Sequence, residues 1–325
     1  MENKYPRKYI IGTGIGLQDV DHLKNSSYFI NQSERYIRGE INLDELEQII
    51  TSYYKQKPDE EERSEEADKI SVRIGQIISE DSFSFSVGQL VSIHHRLFEG
   101  VFPHAGKIRE YNFNKPEWVL SGGSVFYGDY RELEMTLDYD FSLERKCDYS
   151  KLTMDETIEH LADFVSNLWQ IHPFEEGNTR TTAVFFIKYL RSLGFDATNN
   201  LFEKNAYYFR NALVRANFRY IAKGIYDDKS FLIKFLRNLL LGENNPLKNK
   251  EMLATPVNKT KTPQENKEIR VLALIKNNPQ IKAVEIANQV GVSERTVKSI
   301  LAVLVEQKKI VRINGKRYGY WQIDE

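Results

Sequence analysis

The chain has 325 residues, 28% of them charged and 41% hydrophobic, with a formal net charge of −1. That balance excludes a strongly basic nucleic-acid coat and an acidic solvating tail, and the length predicts two domains. A single cysteine, Cys147, excludes an internal disulfide and any cysteine-based zinc cluster. Met1 to Gly16 holds no sustained apolar run and no small-residue cleavage site, and no window reaches membrane-spanning length. The expected location is cytoplasmic, without membrane partners, or that of an effector exported by a route that leaves no N-terminal mark.

The first zone, residues 1–57, opens on Gly12, Gly14 and Gly16, which read as a turn-rich start. Two amphipathic helices follow, over Ser27–Arg38 and Leu43–Tyr54, giving an N-terminal helical arm. The acidic run Asp59-Glu60-Glu61-Glu62 reads as the solvated first turn of the next helix, where negative charge suits the dipole.

The second zone, residues 58–243, carries apolar residues at helix spacing over Ile70–Ile78, Val87–Phe98, Met154–Gln170, Thr181–Leu193, Glu203–Asn217 and Ser230–Leu241. Tyr111–Tyr127 breaks the style. Asn112, Pro116, Trp118 and Ser121-Gly122-Gly123-Ser124 between short β-type runs predict a hairpin or flap. Residues 244–264, with Pro246, Pro256 and Pro263 and no apolar period, read as a linker.

Residues 265–325 give a helix over Glu265–Lys276, a second over Ala283–Val290, the turn Gly291-Val292-Ser293 and a third helix over Glu294–Gln307. A two-stranded wing over Ile310–Ile323 is expected to turn at Asn314-Gly315. This order resembles a winged helix-turn-helix. From Gln264 onward eleven Lys/Arg face seven Asp/Glu, a mild basic bias suited to phosphate contact. Arg295 and Lys298 on the third helix and Arg312, Lys316 and Arg317 on the wing are the expected DNA contacts. Protein docking is the alternative use of such a module.

The most informative stretch is Ile171-His172-Pro173-Phe174-Glu175-Glu176-Gly177-Asn178-Thr179-Arg180. Pro173 ends the helix that carries Ile158, Leu161, Ala162, Val165, Leu168 and Trp169 on one face. His172 therefore sits at the lip of the break. The helix from Thr181 is apolar nearly all round, which places it centrally. A tight loop at a helix N-terminus collects free N–H groups and the positive end of the dipole, which favour phosphate. A histidine there can take a proton, and a carboxylate four residues on can hold Mg²⁺ against phosphate oxygens.

His172 to Arg180 resembles the Fic family string His-Pro-Phe-x-(Asp/Glu)-Gly-Asn-x-Arg at every defined position. The resemblance spans roughly Ser71–Leu241, with support from Ala105–Arg109 and Ala212–Asn217. It implies a mainly α Fic-type core with a β-hairpin flap, ahead of the C-terminal winged helix. It further implies transfer of AMP, or another NMP, from Mg²⁺-bound ATP or another NTP to a Ser, Thr or Tyr hydroxyl of a protein. In that reading His172 is the general base, and Glu176 the Mg²⁺ ligand. Gly177, Asn178 and Thr179 belong to the nucleotide-binding loop. Arg180 steadies the leaving group, and Asn217 contacts the nucleotide. Trp118, Val119, Leu120, Gly122, Gly123 and Val125 form the flap that pairs with the target by strand addition.

Two departures from the family pattern matter. A second Arg often follows the first by three residues, and here that position is Ala183, which leaves the donor nucleotide open. The family's inhibitory string, Ser/Thr-x-x-x-Glu-Gly/Asn, is absent, so glutamate-type autoinhibition is expected to be absent or altered. The N-terminal zone from Gly16–Val20 through Arg38–Ile41 loosely resembles antitoxin-like helices, with Ile15 where a glutamate would stand. A structural arm and a brake both remain open. So does a reading of another class, a transcription regulator whose Fic domain binds nucleotide without turnover. Homodimerisation is also left open.

Overall fold

The computed structural model describes residues 4–56 and 62–254, and in the C-terminal unit 271–272, 274–276, 278–290, 292–306, 309–313 and 320–323. The chain separates into two compact units, residues 1–221 with 225–255 and residues 222–224 with 256–325. Both are mainly helical. Among the described residues no helix is long and apolar enough to cross a membrane.

The first unit is built from α1 (Arg7–Gly16), α2 (Ser27–Ile37), α3 (Leu43–Gln56), α4 (Glu62–Ser79) and α5 (Val87–Phe98). After a long irregular stretch come α6 (Leu133–Glu144), α7 (Met154–Ile171), α8 (Asn178–Ser192), α9 (Leu201–Ala216) and α10 (Ser230–Leu241). Local capping sets several starts. Ser26 and Ser86 accept from the backbone N–H groups of Phe29 and Gln89, and Thr153 with Glu156 forms a capping box that opens α7.

α8 is the centre of this unit. Thirteen of its residues, from Asn178 to Leu190, are buried, as its all-round apolar sequence predicts. Val184, Phe185, Phe186 and Ile187 are fully buried, each contributing roughly 1.5–3 kcal/mol. One amphipathic helix, α7, packs its apolar face on α8, and together they fix the loop between them.

The expected turn at Gly12, Gly14 and Gly16 is not there; all three lie in α1 and are buried. A side chain at Gly14 would meet the Ser71 carbonyl oxygen at 2.3 Å, and one at Gly16 the Glu203 Cα at 2.4 Å. The glycines let α1 lie directly on α4 and α9. The arm is thus packed into the same unit as the catalytic-type helices.

The expected flap also differs. Tyr111–Tyr127 forms no strand ladder; a 3₁₀ turn at Trp118–Leu120 occupies its tip. Glu117 N–H donates to the Gly123 carbonyl at 2.8 Å and closes that turn. Part of the expected linker is packed rather than free. Met252 is fully buried, and Ala254 N–H donates to the Val119 carbonyl at 2.6 Å. The remaining linker residues, Asp59–Glu61 and the start of the Glu265–Lys276 helix lie outside the described residues.

In the second unit α11 (Ala283–Val290) and α12 (Glu294–Glu306) precede an antiparallel pair, β1 (Ile310–Ile313) and β2 (Tyr320–Ile323). Ile310 pairs with Ile323 and Ile313 with Tyr320. Val271, Ile275, Ile286, Val297, Ile300, Leu304 and Ile310 make its core. The Asn314-Gly315 turn lies outside the described residues.

Candidate active site

The loop between α7 and α8 is held from several sides. His172 ends α7 in a left-handed conformation, φ +52°. Gly177 opens α8 at φ +75°, and a Cβ there would lie 2.3 Å from the Phe98 ring. Glycine is the residue that meets both demands. Asn178 closes the loop on itself, accepting from Phe174 N–H at 2.9 Å and donating to the Phe174 carbonyl at 2.7 Å. Trp169 Nε1 donates to Thr179 Oγ1 at 3.0 Å, tying α7 to the first turn of α8.

Two residues from outside the loop complete its frame. Arg109 donates from Nε to the His172 carbonyl at 2.8 Å, and from its two terminal nitrogens to Tyr111 and Gly128 carbonyls at 2.6 and 2.5 Å. His94 stacks on Phe174 with ring centres 3.8 Å apart. Its Nδ1 accepts from Gly106 N–H at 2.8 Å, which leaves Nε2 to donate to the Glu176 carbonyl at 3.0 Å. Burial holds His94 neutral, its pKa pushed down to about 4.

The His172 ring is 6% exposed and stacks on Tyr127 at 3.9 Å, with Phe113 and Trp169 edge-on. Its Nδ1 lies 3.2 Å from the Trp169 carbonyl, which can accept but not donate. Nδ1 therefore carries the proton and Nε2 the lone pair. Burial pushes the pKa down to about 3, with Lys115, Arg109 and Arg210 adding to the effect and the Trp169 contact opposing it. The imidazole is neutral.

A cleft of about 480 Å³ opens beside the loop, lined among others by Asp21, His22, Lys115, Trp118, Glu176, Arg180, Tyr207 and Arg210. It is large enough for a nucleoside phosphate. Asp21, Lys115, Glu176 and Arg210 also border a recess of about 10 Å³ in front of His172, which has room for about one water. In this state the ring is closed off by its neighbours.

Charge pairing explains the closure. Arg180 is 1% exposed and lies over the Phe98 ring at 4.8 Å. Its terminal nitrogens reach Glu66 at 2.7 Å and Gln18 Oε1 at 3.2 Å. Its Nε lies 3.1 Å from the Asp21 carboxylate but off the N–H direction, an ionic contact rather than a formed hydrogen bond. Lys115 stands between Asp21 at 3.8 Å and Glu176 at 3.7 Å. Burial alone would push the Asp21 carboxyl up, but Arg180, Lys115 and Arg210 outweigh it and hold it below the usual carboxylate range. Deeper in the wall Arg210 makes a bidentate pair with Glu117 at 2.6 and 2.9 Å. Burial disfavours the Arg210 charge, yet Glu117 more than compensates and its pKa is raised.

Residues 84–190 match the Fic/DOC family, and residues 264–311 match the winged helix-turn-helix DNA-binding family. The first match covers the loop just described. The chain carries a Fic domain. A protein adenylyltransferase of Bartonella henselae is 28% identical over 142 residues, which is 41% of this chain and 26% of that protein. The chain thus spans about a quarter of the curated relative it matches. A solved Fic family protein from Desulfovibrio desulfuricans G20 is similar over 98% of this chain and 87% of its own, at 14% identity and TM-score 0.45.

The Fic loop brings His172, Glu176, Gly177, Asn178, Thr179 and Arg180 to one place, as their order in sequence predicts. Glu176 is exposed, whereas Gly177 to Arg180 are buried at the start of α8. Asn217 is not brought there. Its amide donates to Ser166 and Leu213 carbonyls, both at 3.0 Å, and binds α9 to α7. Of the flap residues, Trp118 lines the cleft, while Val119, Leu120 and Val125 are buried. Gly122, at φ +86°, and Gly123 make the turn behind Trp118.

Several residues of the Fic cleft carry no signal in sequence. Asp21, Glu66, Lys115, Glu117, Tyr207 and Arg210 come from separate segments of the chain. A buried pair such as Glu117 and Arg210 is 93 residues apart. Gln18 and Asp21 both lie within the stretch that resembles antitoxin-like helices, which is the one hint of their position.

In the winged helix Lys298 is exposed and paired with Glu294 at 2.7 Å. Arg312 lies over the Trp321 ring at 4.7 Å. The Arg295 side chain, Lys316 and Arg317 lie outside the described residues.

Proposed function

We propose that the protein is a Mg²⁺-dependent protein nucleotidyltransferase, an adenylyltransferase or a relative using another NTP, with an attached DNA-binding winged helix. The observation that carries this reading is His172, its Nδ1 held by the Trp169 carbonyl, lining the recess that Glu176 and the first residues of α8 also border. The target hydroxyl oxygen attacks the α-phosphorus, the bond from that phosphorus to the bridging oxygen breaks, and pyrophosphate leaves. His172 Nε2 takes the hydroxyl proton. Incoming phosphates bring negative charge next to the ring, which raises its pKa from about 3 toward the range useful to a base.

The free N–H groups of Asn178 to Arg180, at the positive end of the α8 dipole, would cradle the phosphates. Glu176 presents an exposed carboxylate to the cleft with Lys115 beside it. Among the described residues no cluster of three metal-binding side chains exists. Mg²⁺ commonly takes one or two carboxylates and fills its shell with phosphate and water, so Glu176 fits. The ion would supply charge neutralisation on the phosphates. His22 and Tyr207, with ring centres 4.7 Å apart, and Trp118 offer faces on which a base can stack. Ala183 is fully buried and provides no cation for a γ-phosphate.

A second reading, nucleotide sensing without turnover, rests on the full pairing of Arg180 and the closed recess at His172. Labelled ATP and the other NTPs, given to wild type and His172→Ala, separate the two. Label on protein that vanishes in the variant supports transfer. Binding with no transfer by either form supports sensing, and neither binding nor transfer by wild type overturns both.

A further inference from the structure

Helix α6 is apolar on two faces. Leu133, Leu137 and Phe141 are buried on the inner side. Its C-terminal end is fixed by buried Glu144, which accepts from Tyr149 and Tyr189 hydroxyls at 2.5 Å and faces His160 Nε2 at 2.7 Å. The outer side presents Met135 at 65%, Tyr139 at 61% and Leu143 at 47% exposure. Spaced by four, these three lie within roughly 80° of helix arc and form one exposed stripe. Glu132 and Lys146, both exposed, stand in the turns at either end. Neither has an ion-pair partner among the described residues.

The order Glu132, Met135, Tyr139, Leu143, Lys146 is symmetric about Tyr139, with spacings of three, four, four and three. Acid sits at one end and base at the other. We propose that this face docks on the same face of a second copy, the two α6 helices antiparallel about a two-fold axis at Tyr139. An isologous contact requires a self-complementary patch. Antiparallel pairing supplies it: Tyr139 meets its own copy, Met135 meets Leu143, and Glu132 meets Lys146. Parallel pairing would set like charges together.

The start of α6 adjoins the Fic loop, since a Cβ on Gly128 would touch both Leu133 and Ile171. The antiparallel pair therefore holds the two clefts at opposite ends of the contact. Twelve residues of helix span about 18 Å. That is short of the roughly 800 Å² per partner of a standard interface, so the expected dissociation constant is on the order of micromolar. Asp138, exposed beside the axis, opposes its own copy and weakens the contact further.

Sedimentation velocity on the full chain over about 1–100 µM tests this, independently of any transferase activity. Wild type should show a concentration-dependent monomer–dimer equilibrium. Tyr139→Asp should be monomeric with an unchanged thermal melt, since the side chain is exposed. Glu132→Lys or Lys146→Glu alone should raise the dissociation constant roughly tenfold, because two equivalent pairs become repulsive. The double reversal should restore it to within about threefold. Wild type monomeric throughout, which leaves the stripe to a different protein, overturns the proposal. So does a dimer indifferent to Tyr139→Asp, or a double reversal as weak as the single ones.

Discussion

Nucleotide binding should tighten when either carboxylate is taken from Arg180. The guanidinium is 1% exposed, with Glu66 at 2.7 Å and Asp21 at 3.1 Å. A phosphate that docks on Arg180 must displace these acids or sit beside them. At an effective dielectric constant near 20, two like charges about 5 Å apart repel by about 3 kcal/mol. Asp21 and Glu66 retain 16% and 15% of their side-chain exposure, so solvent reduces that to roughly 1.5–2 kcal/mol. Asp21→Asn or Glu66→Gln should therefore improve affinity by roughly ten- to thirtyfold. The same change removes an anion from a buried cation. Breaking such a pair costs up to about 3–5 kcal/mol, less here because the amide oxygen still accepts and the other acid remains. Affinity and stability should thus move in opposite directions. Calorimetric titration with Mg²⁺ and a non-hydrolysable ATP analogue, beside a thermal melt, reads both. A folded Asp21→Asn protein that binds the analogue no better than wild type would refute the displacement argument.

Acid should destabilise the first unit early. The folded-state pKa values of His172 and His94 are lowered to about 3 and about 4. Below the ordinary imidazole value near 6.5 the unfolded chain binds protons that the folded chain refuses, so stability falls as pH falls from about 6.5 toward 4. The two sites together contribute a loss of about 4 kcal/mol between pH 7 and pH 5. Urea midpoints at the two pH values measure it, and a flat profile would remove burial as the reason for the neutral rings. Gly177→Ala should be severely destabilising, by about 3 kcal/mol or more, since it adds positive-φ strain to a 2.3 Å clash with Phe98. A melt within about 2 °C of wild type would show that the loop has another conformation. Arg109→Lys should keep the fold yet lower transfer at least tenfold, because one ammonium cannot span the His172, Tyr111 and Gly128 carbonyls. An Arg109→Lys protein that carries out the proposed transfer at the wild-type rate would show that the loop needs no such brace.

The helical frame is legible because periodicity is a local property. Ile158, Leu161, Val165 and Leu168 face one way whatever surrounds them, and Pro173 must break α7 wherever it lies. The order from His172 to Arg180 likewise fixes a loop at a helix start. Gly12, Gly14 and Gly16 mislead for the opposite reason. Their weak helix propensity speaks for a turn, but the Ser71 carbonyl oxygen lies only 2.3 Å from where a Cβ on Gly14 would stand, and that close approach demands a bare helix face. Val119 and Leu120 suggest an exposed flap because short β-type runs beside glycines read as a hairpin. What covers that tip is α9 together with the turn at Asn249–Met252, and Ala254 hydrogen-bonds to Val119, from a stretch whose composition reads as linker.

Charge pairing sits further still from local pattern. Arg180 looks like a free phosphate ligand in sequence, since its neighbours along α8 bring no acid to it. Its partners Gln18 and Asp21 come from the turn after α1, and Glu66 from α4. They reach it because the glycines of α1 admit that helix against α4 and α9, which brings the following turn over the cleft. The glycines that resemble a flexible start are therefore the ones that set the electrostatic state of the site. A sequence can name the groups that do chemistry from their local order; whether those groups are free to act depends on packing between segments more than a hundred residues apart.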